Sequence, residues 1–142
     1  MKLLKPFFLV TDVGFILYWI ATYFYLIPKN VAFKDYDNPM IIAWNWSFFP
    51  LDILISITGL YSLYLCRRNH PTWESMALIS LVLTFCSGLQ AIAFWAFIKD
   101  FDFTWWLFNL YLMIYPLFFM KILFKNKLSQ TEKSLRHSFK QL

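Results

Sequence analysis

Polar and apolar residues do not alternate along this chain; they segregate into blocks. Four long apolar windows run from Pro6 to Ile27, Ile42 to Cys66, Trp73 to Ile98 and Thr104 to Phe124, separated by short polar stretches. Each reaches the roughly 20 residues that a helix needs to cross about 30 Å of hydrocarbon. Inside lipid the backbone polar groups must be satisfied within the segment, so each window predicts a helix. Only two charged residues, Asp12 and Asp52, fall well inside these windows. The pattern predicts an all-α fold: a four-transmembrane-helix antiparallel bundle over residues 1–127, with helices at about 6–27, 42–66, 73–98 and 104–124.

The last block, 128–142, is different in kind. Ser129-Gln130-Thr131-Glu132 fits a capping box. Leu128, Leu135, Phe139 and Leu142 follow at helical spacings, with Lys133, Arg136 and Lys140 between them. This predicts a short, basic, cytoplasmic amphipathic helix lying on the inner leaflet. At the other terminus, the basic start and apolar run of MKLLKPFFLV are those of a signal peptide. The run continues too far and reaches no small-residue cleavage site, so it reads as the first helix of the mature protein.

Composition supports lipid as the solvent. Of the 142 residues 60% are hydrophobic and 15% charged, against the roughly 25% charged that is usual in soluble domains. The charge that remains is asymmetric. With four crossings, both termini share a side with the 67–72 loop, and that side holds Lys2, Lys5, Arg67, Arg68, Lys121, Lys125, Lys127, Lys133, Arg136 and Lys140. The other side holds Lys29, Lys34 and Lys99. The positive-inside rule then places both termini in the cytoplasm of a multi-pass plasma-membrane protein. The net charge of +5 thus marks topology and anionic lipid, not nucleic acid. Trp44, Trp46, Trp95, Trp105 and Trp106 gather near the predicted outer ends, where aromatic belts form. The outer loop 28–41 is rich in turn formers and is expected to fold over the bundle mouth.

An aspartate at the centre of a membrane helix costs on the order of 2.5–3.5 kcal/mol on insertion scales, so it should face the bundle interior. Asn45, Asp52, Ser56 and Gly59 form one polar stripe on the second helix, and Ser80, Thr84, Ser87 and Ala91 a small-residue stripe on the third. At 1.5 Å per residue Asp52 lies roughly 15 Å, Gln90 roughly 12 Å and Asn109 roughly 8 Å below the outer boundary. These three, with Asn45, Ser56 and Trp46, are the candidate ligand-binding residues of an outer polar pocket, and Gln90 is the expected hydrogen-bond partner of Asp52. Asp12, roughly 9 Å from the inner boundary, belongs by depth to a different layer. It is the candidate proton-relay residue, and no direct Asp12–Asp52 dyad is expected. Pro50 and Pro116 each remove a backbone donor within a helix and predict a kink.

Catalytic and metal motifs are absent: no GxSxG, HExxH or P-loop occurs. Cys66 and Cys86 have no metal-ligand spacing with His70 or His137, and their depths differ, which disfavours a disulfide. No catalytic residue, metal ligand or cofactor is therefore assigned.

The run FKDYDNP followed by AWNWSFFPLD and LYSLYL, with FFLVTDVGFILYW before it, resembles a YvaD-type family of small membrane proteins from Gram-positive bacteria. That resemblance covers most of the chain and implies a bacterial plasma membrane and four helices, with no activity attached. A looser, topological similarity is to the EXPERA superfamily of four-helix proteins, which includes sterol isomerases and the sigma-2 receptor. It implies a pocket for amphiphilic ligands with Asp52 as the ligand-facing acid, although the other pocket carboxylates of that superfamily have no counterpart here.

Three functions follow as expectations. The first is binding of a hydrophobic or amphiphilic small molecule or lipid around Asp52. The second is a helper or regulatory subunit without chemistry, partnered by a larger membrane protein or by further copies of itself. The third is a small proton-coupled exporter using Asp12.

Overall fold

The computed structural model describes residues 3–28 and 37–139. Five helices follow one another: α1 (Leu4–Tyr23), α2 (Pro39–Ser47), α3 (Phe49–Arg67), α4 (Trp73–Ile98) and α5 (Phe103–Phe139). No strand occurs among the described residues. Four stretches are long and apolar enough to cross a membrane, Leu4–Tyr23, Pro39–Arg67, Trp73–Ile98 and Phe103–Ser129, and they mark a multi-pass membrane protein.

Local chemistry sets the ends of these helices. Asn38 caps α2 by accepting a hydrogen bond from the Met40 backbone N–H at 2.9 Å, and Pro39 occupies the first turn, where a missing donor costs nothing. Pro50 does the same for α3, and the expected kink is a one-residue interruption at Phe48, which keeps helical angles (φ −78°, ψ −21°). Lys99 ends α4 in the left-handed conformation with φ 61°. Three residues later Asp102 Oδ1 accepts from the Trp105 N–H at 2.9 Å and starts α5.

Two boundaries differ from expectation. α1 stops at Tyr23, not at Ile27, because Tyr25 turns into the left-handed region (φ 54°) ahead of Pro28. α5 does not stop at Phe124. It runs on through the basic tail as one helix, and Ser129-Gln130-Thr131-Glu132 lies inside it, with Thr131 Oγ1 donating back to the Lys127 carbonyl at 3.0 Å instead of capping a new helix. The capping-box pattern fails here because neither glycine nor proline stands between Phe124 and Ser129, and Asn126 alone does not end the preceding helix. Most of the outer loop (29–36) and the last three residues lie outside the described residues.

The helices pack in series: α1 on α3, α3 on α4 and α4 on α5. Small residues make the close approaches. The Ser80, Thr84, Ser87 and Ala91 stripe is buried throughout, and Ser80 Oγ donates to the Ile55 carbonyl of α3 at 3.2 Å. A Cβ on Gly88 would stand 2.7 Å from the Asn109 carbonyl, so only glycine lets α5 come this near. Two apolar clusters result. One gathers Leu4, Phe8, Leu63, Ala77, Leu81, Tyr115, Phe119 and Leu123, and the other Trp19, Phe48 and Ala91 with Tyr18 and Trp44. Buried polar groups occupy the zone between them.

Candidate functional site

The series of contacts has two ends, α1 and α5, and how these two meet decides the site. Near the first cluster they close through aromatic rings: Phe7 stacks on Tyr111 and Tyr115 and meets Phe119 edge-on, with ring centroids at 6.2, 5.4 and 5.0 Å. One turn on, Thr11 Oγ1 and the Tyr111 hydroxyl lie 3.3 Å apart. Beyond that point, among the described residues, α1 and α5 make no packing comparable to the other pairs. A cavity of about 870 Å³ fills the gap, within the range of small-molecule sites.

The cavity wall is mostly aromatic and aliphatic. Phe15, Tyr18 and Trp19 come from α1, Trp44 and Phe48 from the α2–α3 junction, Ala91 and Trp95 from α4, and Trp105, Phe108 and Leu112 from α5. Its exposed rim consists of Val10, Gly14 and Tyr25 on one side and Leu107 and Phe108 on the other, so the mouth lies between α1 and α5. Gly14 leaves that mouth wide, since a Cβ there would meet nothing within 4 Å.

Asp52 lies in the wall and is held on both carboxyl oxygens. Trp19 Nε1 donates to Oδ2 at 3.0 Å and Ser87 Oγ to Oδ1 at 3.1 Å. The partner expected for it, Gln90, is exposed on another face of α4 and does not line the cavity. Gln90 has the right depth, but it precedes the inward-facing Ala91 by one position, a rotation of about 100°. Asn45 lines the cavity and is oriented by the Tyr18 hydroxyl, which donates to its Oδ1 at 2.9 Å. Asn109 also lines it, its amide turned back to donate to the Trp105 carbonyl at 2.7 Å.

Two further candidates stand outside the cavity wall. Trp46 is exposed and covers Trp19 and Phe49 from outside, with ring centroids at 5.2 and 5.8 Å. Ser56 is buried behind the wall, where its hydroxyl lies 2.9 Å from the Asp52 carbonyl and 3.0 Å from the Asp12 carbonyl. That hydroxyl joins the two aspartates through their backbones, while the Asp12 side chain meets α3 at Gly59, seven residues along the helix from Asp52. The Asp12 side chain is 0% exposed, fits against Gly59, and has no hydrogen-bond partner on either oxygen among the described residues.

Sequence reasoning missed Trp19 as the partner of Asp52. A signal existed: Phe8, Asp12 and Trp19 recur at four and seven residues, which puts Trp19 on the same buried face of α1. Ser87 was visible as a packing residue but not as a donor. Among the described residues no group of His, Cys, Asp and Glu could hold a metal ion.

Residues 4–130 match a family of unknown function (DUF5360). The uncharacterized protein YvaD of Bacillus subtilis (strain 168) is 68% identical over 125 residues, which span 88% of this chain and 94% of that protein. The resemblance carried by AWNWSFFPLD and its neighbouring runs is thus to a true relative. No solved structure matches the chain.

Proposed function

Starting from a chain that belongs to the DUF5360 family, we propose a multi-pass plasma-membrane protein that binds a hydrophobic or amphiphilic molecule in the cavity between α1 and α5. In this reading the four spans form an antiparallel bundle with both termini in the cytoplasm. The basic side faces inward and the cavity opens toward the outer leaflet. The observation that carries the proposal is the unclosed gap: a helix pair that meets at one end and encloses about 870 Å³ at the other, lined by aromatic rings and a few fixed polar groups. Asp52 acts as the fixed node of the wall, holding Trp19 and Ser87 in place.

The proton-exporter reading loses support from Asp12. Its side chain is fully buried against Gly59 and does not line the cavity, whereas a proton carrier needs a water path. The helper-subunit reading needs no cavity and becomes the account if the following test fails.

Gly14→Phe introduces a ring at the mouth, from a position where a Cβ meets nothing within 4 Å. Small molecules and lipids carried through a mild purification are identified by mass spectrometry. Wild type is expected to retain a defined species that the variant loses, at equal folded yield. Identical profiles would remove the binding reading.

A further inference from the structure

Gln90 is out of place on the surface of a membrane helix. It is exposed on α4, eight residues before Ile98. α4 has 26 residues and measures about 39 Å, against about 30 Å of hydrocarbon. Centred in the bilayer, the helix holds Gln90 about 8 Å below the hydrocarbon boundary. Among the described residues no other exposed side-chain amide lies more than two turns from the end of its span. The two other deep amides, Asn45 and Asn109, are buried, and each makes a hydrogen bond within the bundle. The Gln90 side chain makes none among the described residues.

A side-chain amide carries two N–H donors and one carbonyl acceptor. Acyl chains serve neither. A helix can serve a donor: Thr58, on α3, bonds back to the Leu54 carbonyl at 2.7 Å. It cannot serve the Gln90 carbonyl, because the backbone N–H groups inside a helix are already used. The amide therefore needs a partner outside the chain that offers a donor and an acceptor at the same depth.

A second copy of the chain meets that need. Copies inserted with one orientation, which the lysine and arginine asymmetry favours, carry Gln90 at one depth. A two-fold axis along the membrane normal sets the two amides face to face, and each then donates to the carbonyl of the other. The neighbours of Gln90 on this face are small, Cys86 one turn before it and Ala93 one turn after. Small residues let two helices approach closely enough for such a pair to form.

We propose that the chain forms a parallel homodimer through this face of α4, with a reciprocal Gln90–Gln90 amide pair at its centre. The inference is independent of the binding reading. The cavity uses Ser87, Ala91 and Trp95 of α4 and not Gln90, so each copy keeps its own cavity.

The test uses the full-length protein carrying Cys66→Ser, which leaves the exposed Cys86 as its single thiol. In vesicles of graded protein-to-lipid ratio, a short membrane-permeable bismaleimide is expected to link Cys86 to Cys86. The midpoint of the yield against that ratio measures the strength of the dimer. Gln90→Met keeps the length of the side chain and removes both donor and acceptor, and it should move the midpoint to about tenfold higher protein density. Because it makes an exposed position more apolar, it should leave the unfolding midpoint unchanged. A thiol moved to the outward face of α1, by Cys86→Ser with Leu17→Cys, should not link. Absence of a Cys86 link at every ratio would overturn the proposal and leave Gln90 to the headgroups or to a different protein. A link whose midpoint is the same in Gln90→Met would overturn it as well, since the amides would then not hold the two copies together.

Discussion

Asp12 and Asp52 are linked by one hydroxyl, that of Ser56, yet their side chains live in opposite conditions. Asp52 stands in a cavity wall and receives one donor on each oxygen. Asp12 is sealed between α1 and α3 and receives none among the described residues. The price of burying a carboxyl group depends on its partners more than on its depth, because an unmade hydrogen bond costs more than a made one returns. The same residue type about two turns apart therefore does two jobs. Asp52 holds Trp19 and Ser87 in position and so shapes the wall of the cavity. Asp12 fills the notch that Gly59 leaves and so sets how closely α1 approaches α3.

The sharpest way to break that contrast is to fill the notch. A Cβ at Gly59 would come within 2.7 Å of Asp12 Cγ, and the Asp12 carboxyl has no free space to move into. Gly59→Ala is expected to cost about 3 kcal/mol, measured as a shift in the midpoint of unfolding in detergent. In an Asp12→Ala background the same substitution should cost less than about 1 kcal/mol, since the overlapping group is gone. Additive effects would mean that Asp12 does not occupy the notch.

Next in size is the difference between the two aspartates themselves. Asp52→Ala strands Trp19 Nε1 and Ser87 Oγ and is expected to cost about 2–3 kcal/mol. Asp12→Ala strands no donor and is expected to stay within about 1 kcal/mol of wild type, in either direction. A reversed order in the same unfolding assay would refute the assignment of structural roles.

The smallest effect concerns the bridge. Ser56→Ala removes a hydroxyl that contacts two helical carbonyls, and both carbonyls retain their place in their own helices. A loss of about 1 kcal/mol is expected, additive with Asp52→Ala within error if the bridge only ties α1 to α3.

Much of this molecule was legible in its sequence, and the remainder was illegible for one physical reason. Hydropathy and length located the four spans, Pro50 announced the interruption before α3, and the Ser80, Thr84, Ser87 and Ala91 stripe announced the face on which α4 packs. All three signals concern position along a helix or a run of small residues. Rotation about the helix axis is another matter. In a membrane helix the outward face is as apolar as the inward one, so hydropathy does not say which way Gln90 or Trp46 points. Depth alone therefore grouped Gln90 with Asp52, while Trp19, the actual partner, carries an apolar ring that hydropathy does not set apart from its neighbours. The gap between α1 and α5 was hidden for the same reason, since the residues that border it, Val10, Leu107 and Phe108, are apolar and carry no mark that distinguishes a cavity rim from a lipid-facing surface.

Whether lipid enters that gap can be asked directly. The protein is reconstituted in vesicles containing a phospholipid with a photoactivatable diazirine on one acyl chain, then illuminated, and the adducts are mapped by peptide mass spectrometry. The account predicts adducts on inward residues of the cavity, such as Phe15, Ala91 and Leu112, in addition to the outward faces, and their selective loss in Gly14→Phe. Adducts confined to outward residues such as Ile57, Val82 and Phe118, with the cavity wall unlabelled, would contradict it.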